Sequence, residues 1–425
     1  MLSNGNKVYS LVFVLLFAGM VISACATPAT PTVSSTTAAP TQAPQPSLTP
    51  TVAPQPTIAP KQAPQQQPTT TSQPMAASVQ PLSPAVTVRV GMTPFFDYQF
   101  WSVAKQFGWD KQLGLNLQFT WLTQSGPSIQ ALANGSLDQV NTCIVCNFPF
   151  YQSVPDMQDY INVDQFKGFV IIGRQGKSKS YDEFLKEFND PQKAKVATIQ
   201  QFKGKTFPIY MANYEPLLTA VLGQAGMKVT DVKTVNFADD EKAALAMIGG
   251  TGDFYMGGLP SETNLLQNHP DQFKLIGGAE ILGPAGLWYS NIASSKQWLA
   301  SNEDAALRIM AMSYRFNRYV QEQPDKVLPI VADAMNAHSG VATTAKDLKF
   351  TFDTFLSFRT YQQDKDTAFN PSSNLYWENS AKYYVQNSKD LPAGADYKNQ
   401  NPLNDWFNKF LQRQDLLNWV DAPLQ

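Results

Sequence analysis

Apolar and polar positions change character twice along the chain. An uninterrupted apolar run at 11–22 follows Lys7. Its length suits the core of a secretion signal and falls short of the roughly 18 apolar residues of a membrane span. Residues 26–85 then hold no Asp or Glu, one Lys, and 14 of the 30 prolines, set among Thr, Ala, Gln and Ser. Such a stretch cannot bury enough apolar surface to offset its ordering entropy, so a disordered tether is expected, of order 190 Å at full extension. From Val86 the pattern becomes that of a globular protein.

The alternation Val86, Val88, Val90 predicts a strand over 86–92, and a helix is expected over 97–107, ended by Gly108. A strand at 117–121, a loop at 123–127, a helix to Ala133 and a third strand opening at Asn134-Gly135-Ser136-Leu137-Asp138 complete one unit. The order then recurs: strand 207–211, helix 214–224, strand 232–237, helix 240–248, and a strand from Phe254 after Gly250-Thr251-Gly252-Asp253. From Leu117 to Asp138 and from Val232 to Asp253 the separation is 21 positions in each case. Two copies of a β-α-β-α-β unit imply parallel sheets covered by helices.

The formal net charge of −2 leaves no basic footprint for nucleic acid. Two histidines (His269, His338) and three cysteines (Cys25, Cys143, Cys146) are too few soft ligands for a zinc cluster, haem or an iron–sulfur site, so no metal or cofactor is expected. Ile22-Ser23-Ala24-Cys25 closes the apolar run and resembles the bacterial lipobox, which implies cleavage before Cys25, lipid attachment to it, and an extracytoplasmic chain anchored to a membrane.

Val88-Arg89-Val90-Gly91-Met92 with its aromatic loop, Gly114-Leu115, Ser125-Gly126-Pro127 and Ala131-Leu132-Ala133-Asn134-Gly135-Ser136-Leu137-Asp138 resemble the opening lobe of a known family. It is that of the solute-binding proteins of nitrate, sulfonate and taurine ABC importers, which includes binders of thiamine-pyrimidine precursors. Phe202-Lys203-Gly204-Lys205-Thr206, Leu222-Gly223-Gln224-Ala225-Gly226 and the Gly250 to Asp253 turn resemble the second lobe, and Tyr319-Val320-Gln321-Glu322-Gln323-Pro324-Asp325 the C-terminal helical hairpin. The resemblance implies an α/β fold of the type II periplasmic-binding-protein, or Venus-flytrap, kind: two lobes, each a mainly parallel sheet flanked by helices, with a helical C-terminal extension. The expected organisation is a lipoprotein signal at 1–25, the tether at 26–85, lobe one at 86–175, lobe two at 176–280, and a return to lobe one with C-terminal helices at 281–425. The chain would cross between lobes near Gly173 and near Leu275-Ile276-Gly277. The stretch 178–200 reads as an inserted helix and loop, and the tail after Asn370 is longer than the family's.

Ligands in open parallel sheets bind at the carboxyl ends of strands. That rule selects the loop from Thr93 through Pro94, Phe95, Phe96, Asp97 and Tyr98, an aromatic run that either lines a pocket or, at Phe100 and Trp101, forms the helix's core face. It selects Ser125-Gly126-Pro127-Ser128, where Ser125 is expected to cap a helix whose free amides attract an anionic group. In lobe two it selects Asn213 as a cap, Tyr214 as a cleft residue, and Gly257, where backbone can approach a ligand. Trp288, after the second crossing, either covers the ligand or packs the hinge. Cys143-Ile144-Val145-Cys146-Asn147 also faces the cleft. A short disulfide is open to this pair in an oxidising compartment, but a strand points residues three apart to opposite faces, which favours free buried thiols.

These residues describe a monomeric binding protein without catalysis, delivering a small solute to ABC permease subunits. The aromatic density favours an organic solute, sulfonate-like, taurine-like or heterocyclic, over a bare inorganic anion. The rival readings are a surface lipoprotein that senses a ligand, and an enzyme similar to the pyrimidine synthases of this fold, which would need a denser cysteine and histidine cluster than Cys143 and Cys146 supply.

Overall fold

In the computed structural model, which describes residues 79–122, 125–339, 342–387 and 396–424, the alternating stretch of valines forms β1 (Val86–Met92) with Val88 and Val90 fully buried. The other strands are β2 (Leu115–Trp121), β3 (Gln139–Cys143), β4 (Met157–Phe166), β5 (Ile171–Arg174), β6 (Thr206–Ile209), β7 (Lys233–Asn236), β8 (Phe254–Met256), β9 (Phe273–Gly277), β10 (Trp288–Ser295) and β11 (Leu356–Ser357). They build two lobes. Lobe one has a six-stranded sheet of order β11-β4-β10-β3-β1-β2, and lobe two has a β8-β5-β9 sheet beside the pair β6-β7.

The internal duplication is visible at one side chain in each lobe. Asp138, opening β3, takes the Arg89 backbone amide at 2.8 Å and pairs with the Arg89 guanidinium at 2.5 Å, while its own amide bonds the Arg89 carbonyl. Asp253, opening β8, takes the Thr206 amide at 2.9 Å and returns its amide to the Thr206 carbonyl at 2.8 Å. Each aspartate thus sews the third strand of its unit to the first, which is why the carboxylate recurs at the same place in both motifs.

Among the described residues, parallel pairing is confined to the duplicated units, β1 with β2 and β3, and β6 with β7. The strands flanking the passages between lobes, β4, β10, β5 and β9, pair antiparallel, so the lobe-one sheet is mixed, while in lobe two the β8-β5-β9 sheet is antiparallel and the β6-β7 pair parallel. The passages themselves lie within a few residues of the expected positions. Gly173 and Leu275-Ile276-Gly277 are strand residues of lobe two, paired across β5 and β9. The chain crosses at 167–170 and 278–287, where Gly168, Gly278 and Gly283 interrupt the apolar runs. The segment 178–200 is two helices, Tyr181–Phe188 and Pro191–Gln200, joined at Asn189 in the left-handed region.

The twenty-residue helix Glu303–Glu322 buries Ile309, Met310, Tyr314 and Phe316 in the core of lobe one with Val88, Val90 and Trp101. The expectation that the C-terminal helices return to lobe one holds for this helix and needs amending for a later one. The end of Ala345–Phe355 reaches lobe two, where Phe355 is buried with Ile172, Tyr255 and Phe273, and where the Thr351 and Thr263 hydroxyls lie 3.0 Å apart. An apolar residue of that size gains roughly 1.5–3 kcal/mol from full burial, enough to hold the helix end across the lobes. No helix among the described residues is long and apolar enough to cross a membrane.

Candidate functional site

A cavity of about 320 Å³ opens between the lobes, within the range of roughly 300–1,000 Å³ usual for small-molecule sites. Lobe one contributes Phe95, Phe96, Asp97 and Tyr98 from the loop after β1, the Cys143 and Cys146 pair, Phe166, Trp288 and Ser290. Lobe two contributes Tyr214 and Gly258-Leu259-Pro260, with Phe169 standing on the first crossing. Met335, Thr343 and Leu356 close it from the C-terminal region.

The β1 loop is shaped by Gln99. Its side-chain amide donates to the Thr93 carbonyl at 3.2 Å and the Phe95 carbonyl at 2.9 Å, folding the loop back so that the intervening aromatics face the cavity. Phe96 is buried while Phe95 stands at the rim, 41% exposed. The Tyr98 hydroxyl donates to the Thr142 carbonyl, tying the loop to β3. Phe100 and Trp101 resolve as core: both are fully buried and stacked at 4.5 Å, with the indole N–H donating to Asn141 at 3.1 Å.

The opposite wall is a chain of rings. Phe169 meets Phe166 edge-on at 4.9 Å, Trp288 at 5.1 Å and Tyr214 at 6.4 Å, so it links the two ends of the crossing with lobe two. No sequence signal marks Phe166 or Phe169 as site residues. The Phe-Lys-Gly-Phe stretch has no helical or strand period, and its significance is that it spans the lobes.

Cys143 and Cys146 form a disulfide, with Cα atoms 5.0 Å apart. The expectation of free thiols assumed that the strand continued. It ends at Cys143, and the turn Ile144–Asn147 brings Cys146 round, its amide donating to the Cys143 sulfur at 3.0 Å. A helical turn, unlike a strand, places residues three apart on one side.

Six expected residues line the cavity: Phe95, Phe96, Tyr98, Cys143, Tyr214 and Trp288. Of the others, those whose side chains are described stand apart from it. Thr93 is buried beneath the loop, its carbonyl held by Gln99. Asn147 is buried in lobe one, where its amide donates to both oxygens of Asp159 at 2.9 and 2.8 Å. Gly126 and Ser128 lie in the helix Ser125–Ala133 away from the lining, Ser128 fully buried; Ser125 is that helix's first residue, so the cap position falls at 124, outside the described residues. Asn213 does not cap either, because its helix, Met211–Gly223, starts two residues earlier. Gly257 is a packing position: a Cβ there would lie 1.9 Å from the Tyr255 hydroxyl and 2.2 Å from an Asp240 oxygen. Its neighbour Gly258 is the one at the cavity, pressed against the Tyr214 hydroxyl. Sequence spacing marks which loop reaches the cleft; which residue of the loop faces it depends on the neighbouring lobe.

Buried carboxyls stand at the site and elsewhere in lobe one. Burial raises Asp97 to about 6, a rise moderated by the Ser290 hydroxyl, which donates to it at 2.5 Å. Burial likewise raises Asp364 to about 7 and Asp159 to about 8. Each folded-state value exceeds the unfolded one, so the folded protein holds extra protons between about pH 4 and pH 8, and stability falls as pH rises through that window. The ligand-free protein is expected to melt several degrees lower at pH 8 than at pH 5; a melting temperature that rises over this range would contradict the burial of these groups.

The architecture is that of the periplasmic binding proteins. Residues 178–327 match the family model described as NMT1/THI5 like, in agreement with the resemblance drawn from the motifs. No curated protein sequence matches the chain. Among solved structures, the periplasmic aliphatic sulphonate binding protein of Escherichia coli is 13% identical with a TM-score of 0.53, over 74% of this chain and 91% of that one. A putative periplasmic sulfonate-binding protein of a sulfonate ABC transporter from Methylobacillus flagellatus is 13% identical with a TM-score of 0.55, over 79% of this chain and 97% of that one. At such identity the likeness is one of fold, and the similar proteins are binding proteins.

Proposed function

We propose that this protein is the extracytoplasmic binding component of an ABC importer, capturing a small organic solute between its lobes and presenting it to a membrane permease. The observation that carries the reading is the cavity itself, walled from both lobes and by Phe169 on the crossing, so that bringing the lobes together assembles the walls around a solute. The purified chain is expected to compact by small-angle scattering, and to melt at higher temperature, on addition of the solute that co-purifies with it, identified by mass spectrometry. A scattering profile and melting temperature unchanged by that solute would sink the reading. Aromatic walls with no basic side chain among the described lining residues favour a heterocyclic or otherwise aromatic-stacking solute over a bare sulfonate. The enzyme alternative loses its proposed thiols, because Cys143 and Cys146 are bonded to each other.

Lipid attachment at Cys25 and the tether up to residue 85 belong to the same proposal; the anchor and nearly all of the tether lie before the described residues. Cys25→Ser is expected to release the protein from membranes or leave it as uncleaved precursor. Membrane fractionation of the variant at the mature mass would refute the anchor.

A further inference from the structure

Resting on the reading of the interlobe cavity as the solute site, a further property follows from its charge. Among the described residues lining it, tyrosines aside, Asp97 is the one ionisable group; there is no Lys, Arg or His. The acidity extends one layer back on both sides. Asp164 lies two residues before Phe166 on β4 and opposite Ser290 on β10. Alternation along a strand and pairing across it put Asp164 on the face that Phe166 and Ser290 present to the cavity. It is buried beside the Ser290 hydroxyl, which donates to Asp97. In lobe two, behind Tyr214, Asp240 accepts from the Gly258 amide at 3.2 Å and the Tyr255 hydroxyl at 2.6 Å. Glu262 accepts from the Val170 amide at 3.2 Å with its second oxygen unpartnered.

The bases nearby are committed elsewhere or stand back. Arg359 bonds Gln165 and lies 3.7 Å from Asp364, and half-buried Lys167 is not part of the lining; both offset part of the charge of Asp164 but neither reaches the cavity beside Asp97. Burying carboxyls without a cation is costly, and a positively charged solute would relieve that cost on binding. The ring faces act in the same direction, since the π quadrupole attracts a cation, more strongly where water is excluded. An anion would meet neither a base nor a favourable field.

We infer that the solute is an organic cation, an alkyl- or arylammonium whose charged nitrogen lies against Asp97 and whose apolar body lies among Phe166, Phe169, Tyr214 and Trp288.

Three probes of similar size decide it: benzylammonium, benzyl alcohol and benzenesulfonate, titrated by calorimetry and thermal unfolding into the full chain in detergent. Benzylammonium is expected to bind at least tenfold more tightly than benzyl alcohol, and benzenesulfonate not at all. Asp97→Asn should weaken benzylammonium tenfold or more and benzyl alcohol by far less, while Trp288→Ala weakens both to a similar degree. If benzyl alcohol or benzenesulfonate binds the unmodified chain as tightly as benzylammonium, and Trp288→Ala weakens it, the cation assignment is overturned and the cavity remains the solute site. If no probe binds, or if Trp288→Ala alters none, the cavity reading fails and the cation assignment with it. Should Asp97→Asn fail to fold, the order in which the unmodified chain ranks the three probes decides between these outcomes.

Discussion

Trp288→Ala is expected to weaken binding of the co-purifying solute by about 2 kcal/mol or more, roughly thirtyfold or more in Kd. The indole occupies the start of β10, meets Phe169 at 5.1 Å and Tyr384 at 5.7 Å, and is only partly buried by protein, which leaves part of it for a ligand. Aromatic side chains in a site that excludes water carry a disproportionate share of binding energy, whereas rim residues carry little. Phe95→Ala is the internal control: its ring is 41% exposed at the cavity mouth, and its loss should cost less than about 1 kcal/mol. Calorimetry on both variants, with melting curves to confirm folding, separates the cases. Equal losses, or a larger loss for Phe95→Ala, would place the solute at the mouth.

Gly257→Ala is expected to destabilise the protein by about 3 kcal/mol, at the upper end for an added methyl in a packed interior. The incoming Cβ would lie 1.9 Å from the Tyr255 hydroxyl and 2.2 Å from an Asp240 oxygen, two groups bonded to each other at 2.6 Å. Relieving the clash breaks that bond and shifts the Asp240 contact with the Gly258 amide, so the backbone beside Tyr214 moves as well. Chemical denaturation should show the midpoint reduced at unchanged slope. A variant as stable as the parent would mean that Gly257 is not packed as described. Gly258→Ala should be milder in stability and stronger in binding, since there the close neighbour is the end of the Tyr214 side chain.

Much of this protein was decided locally. Alternating valines make β1 because each second side chain must leave water, and β1 forms over the span that the pattern predicts. Asp138 and Asp253 recur 21 positions after equivalent strand residues because each unit needs the same tie between its third and first strands. The helix Asp240–Ile248 likewise begins where Asp239 can accept the Lys242 amide at 2.8 Å. The strand period and the helix cap are short-range consequences that a sequence states directly; the two aspartate ties span 49 and 47 positions, and the sequence shows only that the residue recurs.

The site was decided at longer range. Asp97 and Ser290 meet across 193 positions, and no local pattern marks either as a partner of the other. Phe169 has no periodic neighbours and matters because two passages between lobes run side by side. Whether Cys143 and Cys146 could join depended on where β3 stopped, one residue's difference in backbone conformation. The amphipathic period of Ala345–Phe355 shows that it has an apolar face but not which lobe receives Phe355. Hydrophobic burial is non-directional, so the sequence by itself determined which faces must be covered, and only the packing of the two lobes decided what covers them and what lines the cavity left between.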